Sequence, residues 1–173
     1  MVSWSSDTSS GKGYPIPIAL GDSTVVHFRH HTVNTQDGHR AMETLRVETS
    51  KRKDVVDLTA RINGVIKKHK MSGGLCHLFL THTTAALTTG EVGEGTEEDL
   101  LDIVQEIIPR IRFRHQHDPS HAWSHMASSI LGTSLTIPIA GDELVLGTWQ
   151  SVLLIEMDGP RQREVHLSLV PAP

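Results

Sequence analysis

Hydrophobic and polar residues follow two different periods along this chain. Residues 44–49 alternate with period two, as a half-buried strand does, and residues 54–58 can start a second strand. Apolar runs bounded by turn residues predict five more strands, at residues 75–84, 133–139, 143–146, 152–157 and 164–170. The hairpin-like spacing of the last four indicates an α+β chain with a substantial sheet.

Apolar residues at spacings of three and four predict two to three helices. Thr59 can cap a first helix, which ends before Gly73. Thr96 opens a second, amphipathic helix that Pro109 stops. A short third helix is expected at residues 126–131.

The first part of the chain differs from the rest in composition. Residues 1–13 are small and polar, and the prolines of Tyr14-Pro15-Ile16-Pro17 forbid a helix. We therefore expect residues 1–41 to form a partly disordered N-terminal extension. Residues 42–173 are expected to form one compact domain.

Composition and charge exclude several classes of protein. The net charge is −4 with neutral histidines, and aromatic residues make up 4%, so neither nucleic acid nor an anionic membrane is an expected partner. No run approaches the roughly 18 apolar residues of a membrane span, and the N-terminus lacks the order of a signal peptide. These features indicate a cytoplasmic protein with a small-molecule substrate. The single cysteine, Cys76, fits a buried apolar position.

Four histidines lie close together, at His115, His117, His121 and His125. A His-x-His string puts both rings on one side of a strand, and a His-x-x-x-His string puts both on one face of a helix. Three or four imidazoles with an open position are typical of catalytic zinc. The alternative is a solvated, histidine-rich loop.

A second candidate group follows the apolar run 75–80. His82 comes near the predicted strand's end, where catalytic side chains often lie, and Thr83 adds a hydroxyl and a backbone donor. The alternative for His82 is a core histidine bonded to one carbonyl. Glu91, in the loop that follows, is a candidate acid or base.

The string Gly147-Thr148-Trp149-Gln150 interrupts a predicted strand. The tryptophan supplies a flat apolar surface, and the glutamine supplies a donor and an acceptor. Such a set can hold a planar ring. The alternative is a bulge with a packed core tryptophan.

No glycine-rich phosphate loop and no nucleophile elbow occurs in the sequence. Arg161 and Arg163 could bind phosphate, but the favoured interpretation is that both decorate a turn.

Taken together, several strings resemble the YjbQ-like family, which is linked to secondary thiamine-phosphate synthase activity. The strings are His82-Thr83-Thr84-Ala85-Ala86-Leu87-Thr88, Ser124-His125-Met126, residues 129–139 and Leu146-Gly147-Thr148-Trp149-Gln150. The resemblance runs from about Met42 to Val170. It implies a β-sandwich-like mixed sheet core, assembly as a homotrimer, and a site near the subunit boundary around His82 and His125.

Two stretches depart from the family pattern. The family's Asn-Glu-Asn-x-Asp-Pro string is matched only at Glu91. In the string before His125, His117 stands at the family's glutamate, and Ser120 and His121 stand at two acidic positions. Because imidazoles replace carboxylates, we expect a transition metal, most simply zinc. Its expected ligands are His82, His117, His121 and His125.

The resemblance implies an enzyme that joins a pyrimidine diphosphate to a thiazole phosphate with loss of diphosphate. Thr83, Thr148, Trp149 and Gln150 would bind the substrate. His82 and His125 would handle protons or ligate the metal, assisted by Glu91. Two alternatives stay open: a hydrolase that uses a zinc-bound water, and a non-catalytic trimer that binds a metal or a metabolite.

Overall fold

A computed structural model of the chain describes residues 41–115 and 118–172. The predicted extension lies outside these ranges except for its last residue, and so does His117. Within the described ranges, no helix is both long enough and apolar enough to cross a membrane.

Eight strands, three α-helices and one turn of 3-10 helix make up the described part of the chain. In chain order they are β1 Ala41–Glu48, β2 Asp54–Asp57, α1 Thr59–Lys68, β3 Gly73–Leu80, β4 Ala85–Gly90, α2 Thr96–Ile107, the 3-10 turn Pro119–His121, α3 Ala122–Leu131, β5 Ser134–Ala140, β6 Glu143–Leu144, β7 Ser151–Glu156 and β8 Gln162–Pro171. The α+β class is confirmed.

The strands form two sheets. One has the order β1-β8-β3-β5-β6 and the other β2-β7-β4. Every strand pairing within the described residues is antiparallel, so the sheets are antiparallel rather than mixed. The reason lies in the connections. A parallel pair needs a helical crossover that returns to the same sheet, whereas here each helical connection leads from the smaller sheet to the larger one.

Strand β7 is covered on both of its faces. Val152 and Leu154 belong to the main core, which also contains the buried residues of the larger sheet and of α1. Ile155 and, just after the strand, Met157 pack instead with apolar residues of α2 and α3. A strand buried on both faces has an almost continuous apolar sequence, which explains the run at residues 152–157.

The predicted strand at residues 75–84 is wrong beyond Leu80. Strand β3 ends there, and Thr81–Thr84 carries the chain across to the smaller sheet, where β4 begins at Ala85. The Leu80 N–H donates to the carbonyl of Thr133 at 2.8 Å, so the end of β3 stays paired. Alternate residues of β3, from Cys76 to Leu80, and the first three residues of β4 are buried in the core, so apolar residues stand on either side of the crossing.

Helix α3 begins earlier than the sequence predicted, at Ala122 rather than residue 126. The turn before it is capped by Asp118, whose carboxylate accepts the Ser120 N–H at 2.8 Å, with proline as the first residue of the turn. Within α3, Ser128 is buried and its hydroxyl donates to the Ala85 carbonyl at 2.7 Å. This bond ties α3 to the start of β4.

Candidate active site

Three histidine rings meet at one end of α3. His115, His121 and His125 offer ring nitrogens that all lie within 4.8 Å of one another. The Nε2 atoms of His115 and His121 are 3.1 Å apart. The three ring centroids form a nearly equilateral triangle, with separations of 5.1 to 5.2 Å.

Local structure brings two of these rings together. His121 ends the 3-10 turn and precedes the first residue of α3, and His125 lies one helical turn later. Their spacing of four therefore puts both on the same face. His115 comes from the segment after α2, and the predicted ligand set did not include it. The His-x-His string was the signal that pointed to it, and its second histidine, His117, lies outside the described residues.

Carboxylates and a backbone carbonyl surround the three-histidine group. The Nδ1 atom of His121 lies 3.7 Å from a carboxylate oxygen of Asp118 and 3.7 Å from one of Asp158. The ring of His125 is hydrogen-bonded to the backbone of Thr83. Metal-binding histidines in proteins commonly have such partners, which fix the ring and its tautomer.

The pKa of His125 is lowered below 6.5. Burial is the main cause, and the neighbouring rings of His121 and His115 lower it further, while Asp158 and the Thr83 hydrogen bond oppose the change. His125 is therefore neutral near pH 7, as a metal ligand must be.

Two rings of this group line a cavity of about 550 Å³, which is the larger of the two cavities that His82 borders and is called the larger cavity below. Its lining includes His82, Thr83, His121, His125, Asp158 and Arg161. Four of the residues predicted for the site are thus brought together: His82, Thr83, His121 and His125.

His82 does not belong to the three-histidine group. Its Nε2 atom accepts a hydrogen bond of 2.9 Å from the backbone N–H of Glu164. The lone pair that could bind a metal is therefore engaged. Burial, followed by the charge of Arg163, lowers the pKa of His82, although Glu164 and Glu156 oppose that change.

Arg163 does not decorate a turn, as the sequence analysis had favoured. Its side chain is 3% exposed and pairs with Glu156, which is fully buried, through an Nε–Oε2 hydrogen bond of 2.6 Å. It also donates from Nη2 to the hydroxyl of Thr84 at 2.8 Å. One Glu156 oxygen accepts the backbone N–H groups of Met157 and Asp158. This buried pair therefore fixes the floor of the larger cavity.

Arg161 lies at the surface of the same cavity. Its guanidinium donates to the Asp158 carboxylate and to the Asp158 backbone carbonyl, both at 2.6 Å. The salt bridge holds a cation beside the three-histidine group.

A family model described as "UPF0047 protein YjbQ-like" matches residues 43–172 of the chain. The chain belongs to this family. A UPF0047 protein of Mycobacterium tuberculosis is 38% identical over 132 residues, which cover 74% of this chain and 96% of that protein. A UPF0047 protein of Archaeoglobus fulgidus is 34% identical over 122 residues, which cover 70% of this chain and 94% of that protein.

Solved structures agree with the YjbQ-like assignment. A protein of unknown function from Sulfolobus solfataricus superposes with a TM-score of 0.72 at 29% identity, covering 77% of this chain and 98% of that one. A conserved hypothetical protein from Thermus thermophilus gives a TM-score of 0.66 at 34% identity, covering 74% of this chain and 99% of that one. The UPF0047 relatives thus share the fold, and their names state no activity.

Four other predicted site residues of this YjbQ-like chain that the structure describes do not line the larger cavity: Glu91, Thr148, Trp149 and Gln150. Thr148, Trp149 and Gln150 form a tight turn after β6, closed by a hydrogen bond from the Gln150 N–H to the Gly147 carbonyl at 2.9 Å. Trp149 is 75% exposed, so it is not a packed core residue. Glu91 is exposed in the loop after β4.

Proposed function

We propose that this chain is an enzyme that depends on a divalent metal, zinc, and acts on a small phosphorylated substrate. The observation that carries the proposal is the convergence of ring nitrogens from His115, His121 and His125 beside an open cavity. This assignment adds His115 to the predicted ligands His121 and His125, and it leaves out His82, whose Nε2 atom is already hydrogen-bonded. His117 lies outside the described residues and stays a predicted ligand.

The distances and the donor atoms suit zinc. Two nitrogens bound tetrahedrally at 2.0–2.1 Å lie about 3.3 Å apart, close to the 3.1 Å between the Nε2 atoms of His115 and His121. Three imidazoles favour zinc, nickel or copper over magnesium. Zinc, when bound, supplies Lewis acidity toward an oxygen of the substrate.

The chain's own residues supply orientation and charge. Asp158 lies beside His121 and also holds the guanidinium of Arg161, so one carboxylate positions both a ligand and a cation. Arg161 keeps guanidinium donors for phosphate oxygens. A phosphorylated substrate suits the part of the larger cavity beside Arg161, because three neutral ligands leave the full charge of the metal available to an anion.

The reaction that we propose is the one implied by the family resemblance. It joins a pyrimidine diphosphate to a thiazole phosphate and releases diphosphate, with Arg161 and the metal site beside the leaving group. Thr148, Trp149 and Gln150 would contact the heteroaromatic ring, and Glu91 would assist. Because none of these four lines the larger cavity of its own protomer, their roles require a neighbouring protomer, as in the proposed homotrimer.

A metal-dependent hydrolase is the second candidate. It is favoured by the same ligand set, because three protein ligands with an open position are typical of hydrolytic zinc sites. In this alternative Asp158 orients His121, and the substrate reacts with water and needs no second organic reactant.

Product analysis separates the two candidates. Protein purified without a histidine tag is analysed for metal and then incubated with a pyrimidine diphosphate and a thiazole phosphate, together and singly. Diphosphate release that requires both compounds supports the synthase, and phosphate release from a single ester supports the hydrolase. Bound zinc with neither product indicates a non-catalytic binding protein and contradicts the enzyme proposal.

The variant His125→Ala tests whether the three-histidine group is responsible. It is expected to abolish both metal binding and turnover. His166→Ala is the matched control, because His166 lies on β8 and bonds only to the Thr44 hydroxyl among the described residues. Unchanged turnover in His125→Ala would contradict the proposed site.

A further inference from the structure

A second cavity lies on the other side of the crossing between the two sheets. It has a volume of about 290 Å³ and is called the smaller cavity. Thr81, His82 and Thr83 line both cavities. The crossing segment is therefore a wall shared by two binding spaces.

The two cavities differ in charge. The larger one is bordered by Asp158, Arg161 and Arg163. The smaller one is lined, apart from His82, by uncharged residues: Phe79, Leu80 and Gly132 together with hydroxyl side chains such as Ser129 and Thr133. An ionic ligand would lose hydration in the smaller cavity without gaining a charged partner, whereas an uncharged polar molecule can bond to the hydroxyls.

His82 has a defined tautomer at this wall. Since its Nε2 atom accepts the Glu164 N–H, the single proton of the neutral ring sits on Nδ1. Among the described residues, no acceptor is found for that Nδ1–H, and no fully buried side-chain nitrogen lacks a partner, so this atom is open to solvent or to a ligand. Burial and the nearby guanidiniums of Arg163 and Arg161 lower the pKa of His82 and keep it neutral, against the opposing charges of Glu164 and Glu156. A neutral ring in this state can donate but cannot accept a proton without breaking the bond to Glu164.

We propose that the smaller cavity binds an uncharged polar molecule whose oxygen accepts a hydrogen bond from the Nδ1–H of His82. This site goes beyond the proposed function, because both reactants of the proposed synthase carry phosphate groups. The cavity, its uncharged lining and the tautomer of His82 do not depend on a metal.

The tautomer of His82 is measured first. The full chain is labelled with 15N-histidine, freed of metal and held at pH 7, and a long-range 1H–15N correlation spectrum is recorded. We expect His82 to be neutral, with a protonated Nδ1 and an unprotonated Nε2. A proton on Nε2, with or without one on Nδ1, would overturn the proposal.

Binding is then measured with two probes of similar size, N-methylacetamide and acetate. The uncharged amide is expected to shift the signals of His82 and Thr133 and to bind more tightly there than acetate. Acetate binding as tightly, or no shift with the amide, would contradict the assignment. The binding measurement uses metal-free protein and needs no turnover. Its result can therefore be interpreted even if the proposed enzyme activity is not found.

The variant His82→Gln tests the donor. Its side-chain oxygen can still accept the Glu164 N–H, but it has no donor at the Nδ1 position. We expect the amide to bind about three- to tenfold more weakly, the loss of one hydrogen bond. His77→Gln is the control, because His77 lies on β3, outside both linings, and bonds to the Thr136 hydroxyl. Equal weakening in both variants would contradict a specific role for His82.

Discussion

The Nε2 atoms of His115 and His121 lie 3.1 Å apart. One proton or one metal ion fits between them, because two N–H groups facing each other at that distance repel. The Nδ1 atom of His121 faces two carboxylates, which favours a proton there and leaves its Nε2 lone pair as an acceptor. In the metal-free protein His115 is then the donor, and metal binding requires its proton to move to Nδ1.

Removing one ring of the three-histidine group should remove the metal. For His121→Ala we expect metal content to fall from about one ion per protomer to less than a tenth, measured by mass spectrometry after dialysis. The circular dichroism spectrum should stay unchanged, because the ring is partly exposed. Full metal content in this variant would show that the ion binds elsewhere.

Acid should release the metal and lower stability together. The pKa of His125 is lowered in the folded state, so below about 6.5 the unfolded chain takes up a proton before the folded one does. Stability is therefore complete above that pH and is lost as pH falls. We expect metal content and melting temperature to drop between about pH 7 and pH 5.

The variant His121→Asp is the counterpart for this pH experiment. It restores a carboxylate, which titrates near ~3.9, so metal release should move to lower pH. Metal content and melting temperature that stay constant across the window in both proteins would favour a solvated histidine loop.

Breaking the buried ion pair should cost far more than changing a surface charge. Glu156→Gln leaves the Arg163 charge buried without its counter-ion, and we expect a loss of about 3–5 kcal/mol in the free energy of unfolding. Arg161→Gln is the control, since Arg161 is exposed, and it should cost less than about 1 kcal/mol. Urea unfolding measures both, and equal losses would contradict the assigned burial.

Two neighbouring serines of α3 should differ in their effect on stability. Ser128→Ala leaves the buried carbonyl of Ala85 without its donor and should cost about 1–3 kcal/mol. Ser129→Ala removes an exposed hydroxyl bonded to the His125 carbonyl and should cost less than about 0.5 kcal/mol. Thermal unfolding of the pair provides the comparison, and a smaller loss for Ser128→Ala would contradict the tie between α3 and β4.

The proposed assembly can be tested without a substrate. Sedimentation at micromolar concentration should give the mass of three chains, since Trp149 and the other residues of its turn would reach a cavity only through a neighbour. A mass of one chain would remove the proposed role of Trp149.

Helices and strands that are determined by residues close in the sequence could be predicted from it. Helix α2 starts at Thr96 as predicted and stops before Pro109, because a glycine-rich loop and a proline delimit an amphipathic pattern. The start of α1 nevertheless differs from the prediction in one respect. Thr59 is the first residue of α1 rather than its cap, and its hydroxyl instead accepts the Val152 N–H of β7 at 2.9 Å.

Features that depend on distant parts of the chain were missed. The crossing at Thr81–Thr84 was missed although its four polar residues interrupt the apolar pattern, because only the strand pairing shows that β3 and β4 belong to different sheets. Arg163 looked like a surface residue because its partner Glu156 belongs to a different strand. The early start of α3 was readable, because aspartate followed by proline at residue 118 marks a helical turn.

The candidate site also contains one feature that the sequence predicts and others that depend on distant residues. The pairing of His121 with His125 follows from their spacing of four in the sequence. The position of His115 beside these two rings depends on the path of the backbone after Pro109. No periodic pattern in the sequence predicts that path. The orientation of His82 depends on the backbone N–H of Glu164 in β8, which lies 82 positions away in the sequence.

Strand β8 lies between β1 and β3 in the larger sheet, although in the sequence it comes last among the strands of the described residues. On the ribosome, β1 therefore waits without a neighbour until almost the whole domain has left the exit tunnel. Native pairing then joins residues as far apart in sequence as Ala41 and Leu169. Such long-range closure slows folding, so the nascent chain exposes an unpaired strand edge to chaperones until β8 has been synthesised.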